Sequence, residues 1–177
     1  FYHSADTMEL NAIVPEIYIP FVVGHFESRN RRISGENVEK VYNLFKGHTY
    51  YIQKTFNEAF ADTAEGDECT IETLRTAVNN LIAYNDTIFR EILSNIPEKQ
   101  KELLYAIAKD VEAEKITSAE FIKRHSLTSA SSVQSATNKL LEKDIITEIN
   151  KVYSVTDKLF AMWINNLYGN KFSLAQD

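Results

Sequence analysis

The residues of this chain that could do chemistry are few, and their spacing excludes most reactions. His3, His25, His48 and His125 stand far apart. No His-Glu-x-x-His or Cys-x-x-Cys pattern is present, so no zinc site is expected. No Gly-x-x-x-x-Gly-Lys-Ser/Thr run is present either, so the sequence offers no phosphate cradle of the P-loop kind. Cys69 is the one cysteine, which rules out an internal disulfide and suits a reducing cytoplasm. It reads as an inert residue beside a loop. The acidic run at residues 64–68 lacks calcium-loop spacing and reads as a solvated turn. Recognition remains. Ser131, Gln134, Ser135, Asn138 and Lys139 fall on one side of a helical stretch. Gln and Asn amides can read adenine and a Lys ammonium can read guanine. Lys143 and Lys151 would meet phosphate. No catalytic residue is expected in this segment.

The elements that position those residues are legible over 116–157. Thr117 with Glu120 forms a capping box, so a short helix begins there, with Phe121 and Ile122 on its apolar side. His125 to Thr128 makes a turn, and Thr128 or Ser129 caps the next helix. Val133, Ala136 and Leu140 recur at helical spacing and must face a core. Beyond Lys143, Ile145, Ile146 and Ile149, then Val152, Tyr153 and Val155, flank Asn150-Lys151, a two-residue hairpin turn. Helix, turn, helix and hairpin in this order are the winged helix-turn-helix layout, which presents one helix to a partner, most often DNA.

Charge argues against a dedicated DNA reader. Residues 97–177 hold 11 Lys and Arg against 11 Asp and Glu, a net of zero, whereas residues 1–96 hold 8 against 14, a net of −6. Phosphate neutralisation supplies most DNA affinity, and a basic excess is its usual mark. The longest apolar run, Ile17 to Val23, is too short to span a bilayer, and no signal peptide is seen.

The front half reads as helix. Pro15 opens a helix carrying Ile17, Phe21 and Phe26. Arg29, Arg31 and Arg32 follow in a loop, solvated or available to a phosphate. Ser34 caps a helix with Val38, Val41, Tyr42 and Phe45 on one stripe, and Gly47 stops it. Ile52, Phe56 and Phe60 mark a third helix. Thr70 caps a long one with Leu74, Ala77, Leu81, Ile88 and Ile92. Pro97 opens the helix of Leu103, Leu104 and Ile107, which puts a domain boundary near Asn95-Ile96-Pro97. After the hairpin, Asp157 begins a last helix with Phe160, Trp163, Ile164 and Leu167, in which Trp163 reads as a core plug.

This ordered set resembles a known family. The run IPFVVGHFESRNRRISGENVEKVYNLFKGHTYYIQKTFNEAF is similar to the helical lid that follows the nucleotide-binding core of archaeal-type AAA+/STAND ATPases, a group also common in bacteria. The runs LSNIPEKQKELLYAIAKD and VYSVTDKLFAMWI resemble the winged helix that closes those proteins. Thr49 and Lys158 stand where the family usually has Pro. The resemblance implies a mainly α fold divided as 1–14, end of the core or connector; 15–96, helical lid; 97–168, winged helix with a small β-hairpin; 169–177, tail. The opening at Phe1 reads like the middle of a domain, so the chain is expected to be part of a longer protein. By resemblance that parent binds ATP with Mg in the cytoplasm through Walker motifs lying before Phe1, and this segment alone binds no cofactor. Gly47, His48 and Thr49 match the turn that closes on the nucleotide, although Gly47 also reads as a plain helix stop, with Tyr50 and Tyr51 in the core. The implied partners are the parent's own P-loop core and a protein or DNA at the winged helix, with no membrane. The alternative is a DNA-binding winged-helix regulator.

Overall fold

Residues 13–168 are described by a computed structural model. The expected tail at 169–177, and all of the expected connector except Ile13 and Val14, lie outside them. The chain divides into two units, residues 1–77 and 78–177, with the division inside α4. It falls upstream of the boundary expected at residues 96 and 97. The helix ahead of that boundary belongs with the second unit, because its Phe89 packs on Phe160 and Trp163.

The first unit begins with α1 (Pro15–Glu27), then β1 (Arg32–Ile33), α2 (Gly35–Leu44), α3 (Thr49–Asp62), β2 (Glu68–Cys69) and the first part of α4 (Ile71–Tyr84). Apolar side chains meet at helical spacing: Tyr18, Val22 and Phe26 from α1, Val38, Val41 and Tyr42 from α2, Ile52, Phe56 and Ala59 from α3. The expected α1 stripe is corrected here. Ile17 and Phe21 are 65% and 66% exposed, because the buried side runs through Tyr18 at steps of four residues. Ser34 Oγ accepts the Asn37 amide at 3.1 Å, the expected cap of α2. Beyond α2, Lys46 and Gly47 turn left-handed (φ 50° and 78°), and the Gly47 amide reaches back to the Tyr42 carbonyl at 3.1 Å. This closure of orphan helix carbonyls favours glycine.

The arginine loop is structured. β1 pairs in parallel with β2, Arg32 opposite Glu68 and Ile33 opposite Cys69. Arg31 is half-buried and engaged within the unit. Its Nε donates to the Thr63 carbonyl at 2.6 Å, and its guanidinium lies 4.3 Å from the Phe60 ring centre. It therefore ties the loop to the end of α3. Cys69 is fully buried in β2, and burial pushes its thiol pKa up, away from reactivity.

The second unit holds the end of α4, α5 (Asp86–Ser94), α6 (Glu98–Asp110), β3 (Ala113–Glu114), α7 (Ala119–Arg124), α8 (Ala130–Glu142), β4 (Ile146–Ile149), β5 (Val152–Val155) and α9 (Lys158–Leu167). The long helix expected through Ile92 is broken at Asn85, whose side-chain amide donates to the Leu81 carbonyl at 2.8 Å. That break turns Phe89 inward and leaves Ile88 55% exposed. The three strands run antiparallel in the order β3-β5-β4. Leu103, Leu104, Ile107, Leu140, Ile146, Leu159 and Ile164 fill the core, each worth about 1.5–3 kcal/mol over an exposed position. Asp157 Oδ1 caps α9 by accepting the Leu159 and Phe160 amides at 2.8 and 3.1 Å. Trp163 is buried, as expected of a core plug, and its indole N–H donates to Asp86 Oδ1 at 2.9 Å, locking α9 to α5. Leu167, expected inside, is exposed. The fold is thus mainly helical, with a winged helix-turn-helix in its second unit. No helix among the described residues is long and apolar enough to cross a membrane.

Candidate interaction face of the winged helix

The turn between α7 and α8 aims the presenting helix. Ser118, one residue past the expected Thr117, caps α7 by accepting the Phe121 amide at 3.2 Å. Thr117 is exposed instead. Asp110, at the end of α6, accepts from the Arg124 guanidinium, and His125 Nε2 lies 3.2 Å from the same carboxylate. The His125 ring packs 4.4 Å from Phe121. Val111 follows Asp110 at φ 64°, ψ −50°, and the Glu112 amide bonds the Asp110 carbonyl at 2.7 Å. This is a γ-turn, strained for a β-branched residue, and it sets the direction in which the chain leaves α6. Of the two caps expected for α8, the structure uses Ser129, whose Oγ accepts the Ser132 amide at 3.2 Å. Thr128 Oγ1 takes Lys99 Nζ at 3.0 Å.

On α8, Val133, Ala136, Thr137 and Leu140 are buried, while Ser131, Gln134, Ser135, Asn138 and Lys139 are exposed. At the wing tip Asn150 and Lys151 have φ of 53° and 66°, the two left-handed residues of a type I′ turn. A groove of about 280 Å³ runs between α8, the β3–α7 loop and the wing, lined by Glu114, Lys115, Ile116, Thr117, Gln134, Asn150, Lys151 and Tyr153. It brings Gln134 and Lys151 together. Ser131, Ser135, Asn138, Lys139 and Lys143 do not line it. Sequence reasoning assigned no site role to Lys115. Its left-handed backbone (φ 48°) depends on a short strand, β3, that has no pattern of its own.

The electrostatics of this face are mild. Lys139 Nζ lies 2.7 Å from Glu142 Oε2. Lys139, with a smaller contribution from Lys143, holds the Glu142 carboxyl below its usual pKa. Gln134 Nε2 donates to Asn138 Oδ1 at 3.2 Å, so one hydrogen bond joins the two amides suited to adenine. Burial raises the Tyr153 phenol, which also bonds Glu148. Among the described residues Lys115 and Lys151 form no ion pair. Lys115, Lys139, Lys143 and Lys151 are set against Glu114, Glu142, Asp144 and Glu148, a net of zero. A DNA reader neutralising about 6–10 phosphates needs far more. The face can hydrogen-bond a polar partner. Gly47, His48 and Thr49 lie in the first unit. Gly47 is buried in the turn after α2, His48 is exposed and stacks on Tyr51 with ring centres 4.8 Å apart, and Thr49 opens α3. Tyr50, read as core if Gly47 is a plain stop, is 58% exposed.

Comparison with known proteins agrees with this architecture. A family model described as "Probable winged helix domain" matches residues 87–166, taking in α5. A Walker-type ATPase of Pyrococcus abyssi has a similar fold, with a TM-score of 0.63 at 12% identity over 85% of this chain. The chain spans 41% of that protein's length. No curated protein matches the sequence.

Proposed function

We propose that this chain is the lid and winged-helix end of a cytoplasmic archaeal-type AAA+/STAND P-loop ATPase. The first unit serves as the lid, with Gly47, His48 and Thr49 at the nucleotide, and ATP with Mg is held by the P-loop core. The winged helix docks a protein partner or that core. The observation that supports this reading is the fold, to which that of a Walker-type ATPase is similar over 85% of the chain. Such a device switches only if nucleotide binds its two arrangements with different affinity. Docking of protein rather than DNA rests on the balanced charge around α8 and the wing. A DNA-binding regulator is the second reading, favoured by the free ammonium groups of Lys115 and Lys151 beside Gln134.

Titration of duplex DNA at about 50 and 200 mM salt separates the two. The docking reading predicts no saturable binding at either salt. Tight binding at low salt that collapses about 1,000-fold or more at the higher salt would establish the DNA reader instead.

A further inference from the structure

The second unit holds a groove of about 390 Å³ along α6, away from the wing. Glu102, Tyr105 and Lys109 line it from α6, at steps of three and four residues that place them on one helix face. Tyr168, at the end of α9, stands on one side, and Arg124 and His125, from the turn after α7, stand on the other. The volume is that of a small-molecule site. One end is aromatic. The Tyr105 and Tyr168 rings lie 4.7 Å apart between centres, with planes inclined at 51°. Burial first, and the bond to the Tyr168 phenol second, push Tyr105 well above the usual phenol pKa, so this end stays neutral. The other end is cationic. Glu102 is balanced by Lys99 at 2.9 Å, and Arg124 shares its charge with Asp110. Lys109 forms no ion pair or hydrogen bond among the described residues. Arg124 uses Nη2 on Asp110 and Nε on His125, which leaves Nη1 without a partner there.

We propose that this groove binds an aromatic carboxylate, with its ring against Tyr105 and Tyr168 and its carboxylate on Lys109 and Arg124. The charge balance selects a single negative charge. Lys109 and Arg124 against Asp110 leave one positive charge, which a carboxylate cancels. A phosphoryl group, with a charge of about −1.5 to −2, would leave an excess. The two tyrosines select a ring, because aromatic groups gain from offset or edge-to-face contact beyond the area they bury. The guanidinium and ammonium donors are the groups that hold carboxylates best. A ligand held here touches the turn that aims α8. The proposal stands apart from the ATPase reading.

The experiment titrates the chain with benzoate by calorimetry at neutral pH and low salt. Benzamide, which keeps the ring and loses the charge, and inorganic phosphate, which keeps charge and loses the ring, are titrated beside it. The proposal predicts saturable benzoate binding with a dissociation constant of about 1 mM or tighter. Benzamide should bind about tenfold more weakly, and Lys109→Gln should weaken benzoate by a similar factor. Lys109→Arg should bind benzoate as wild type does, and Tyr168→Ala should bind it more weakly. The Lys109 variants should melt with the wild type, because Lys109 has no partner to lose. Benzamide binding as tightly as benzoate would overturn the proposal, since no anion site would exist. Phosphate binding as tightly as benzoate would also overturn it, by reducing the groove to a cationic patch. Lys109→Gln with unchanged benzoate affinity would place the binding elsewhere. A chain that binds no benzoate would remove the site, whether another part of the chain fills the groove or nothing does.

Discussion

Replacing Lys151 with glycine separates the two jobs this residue can hold. Its φ of 66° places it in the second position of a type I′ hairpin turn, where glycine is the favoured residue. A side chain in the left-handed region costs about 1–2 kcal/mol. Glycine relieves that cost but gives back about 0.5–1 kcal/mol through the freedom of the unfolded chain. The exposed lysine tip buries nothing that would be lost. Lys151→Gly should therefore stabilise the second unit by about 0.5–1 kcal/mol. Urea unfolding followed by the fluorescence of Trp163, the only tryptophan, reads this directly. The same protein then tests recognition. If Lys151 touches phosphate, the slope of log affinity against log salt falls by about one. If the face docks neutral protein surface, the slope does not move. A destabilised Lys151→Gly would refute the left-handed hairpin, and with it the groove that this turn helps to form.

Other predictions follow from single contacts. The Asp86 carboxyl is held below its usual pKa by Arg90 first and by the Trp163 N–H second. A depressed folded pKa means that its stabilisation is present above the unfolded value and is lost as pH falls through the folded one. Trp163 emission should thus report loosening of α5 from α9 on the acid limb, below about pH 4, and Asp86→Asn should remove that dependence. Arg31→Ala removes the bond to the Thr63 carbonyl and the stack on Phe60, and should cost about 1–3 kcal/mol in thermal or urea unfolding. An exposed, dispensable arginine would cost nothing measurable. Val111→Gly relieves the γ-turn and should stabilise the second unit by about 1 kcal/mol in urea; no change would show that this turn carries no strain.

The winged helix was legible because its signals are local. Caps such as Ser34 and Asp157, the repeat of Val133, Ala136 and Leu140, and the Asn150-Lys151 turn each specify structure within a few residues. What was not legible depends on distant pairing. The two-residue strands β1, β2 and β3 have no alternation to read, and their partners lie far along the chain. The side of α1 that faces inward could not be chosen from a helix apolar all round. The break at Asn85 hid inside a helical pattern, so Ile88 was expected inward where Phe89 stands. At the presenting face, sequence indicated the exposed side of α8. The Lys139–Glu142 ion pair and the Gln134–Asn138 hydrogen bond needed the structure.

The most direct test of the ATPase account is a fluorescent ATP titration, with Mg, of this chain and of the longer ATPase polypeptide that the account proposes for it. The account predicts no binding to the chain alone. It predicts binding to the longer polypeptide that weakens when Gly47 is replaced by valine, which a φ of 78° disfavours. Tight ATP binding by the chain alone, or none by the longer polypeptide, would contradict it.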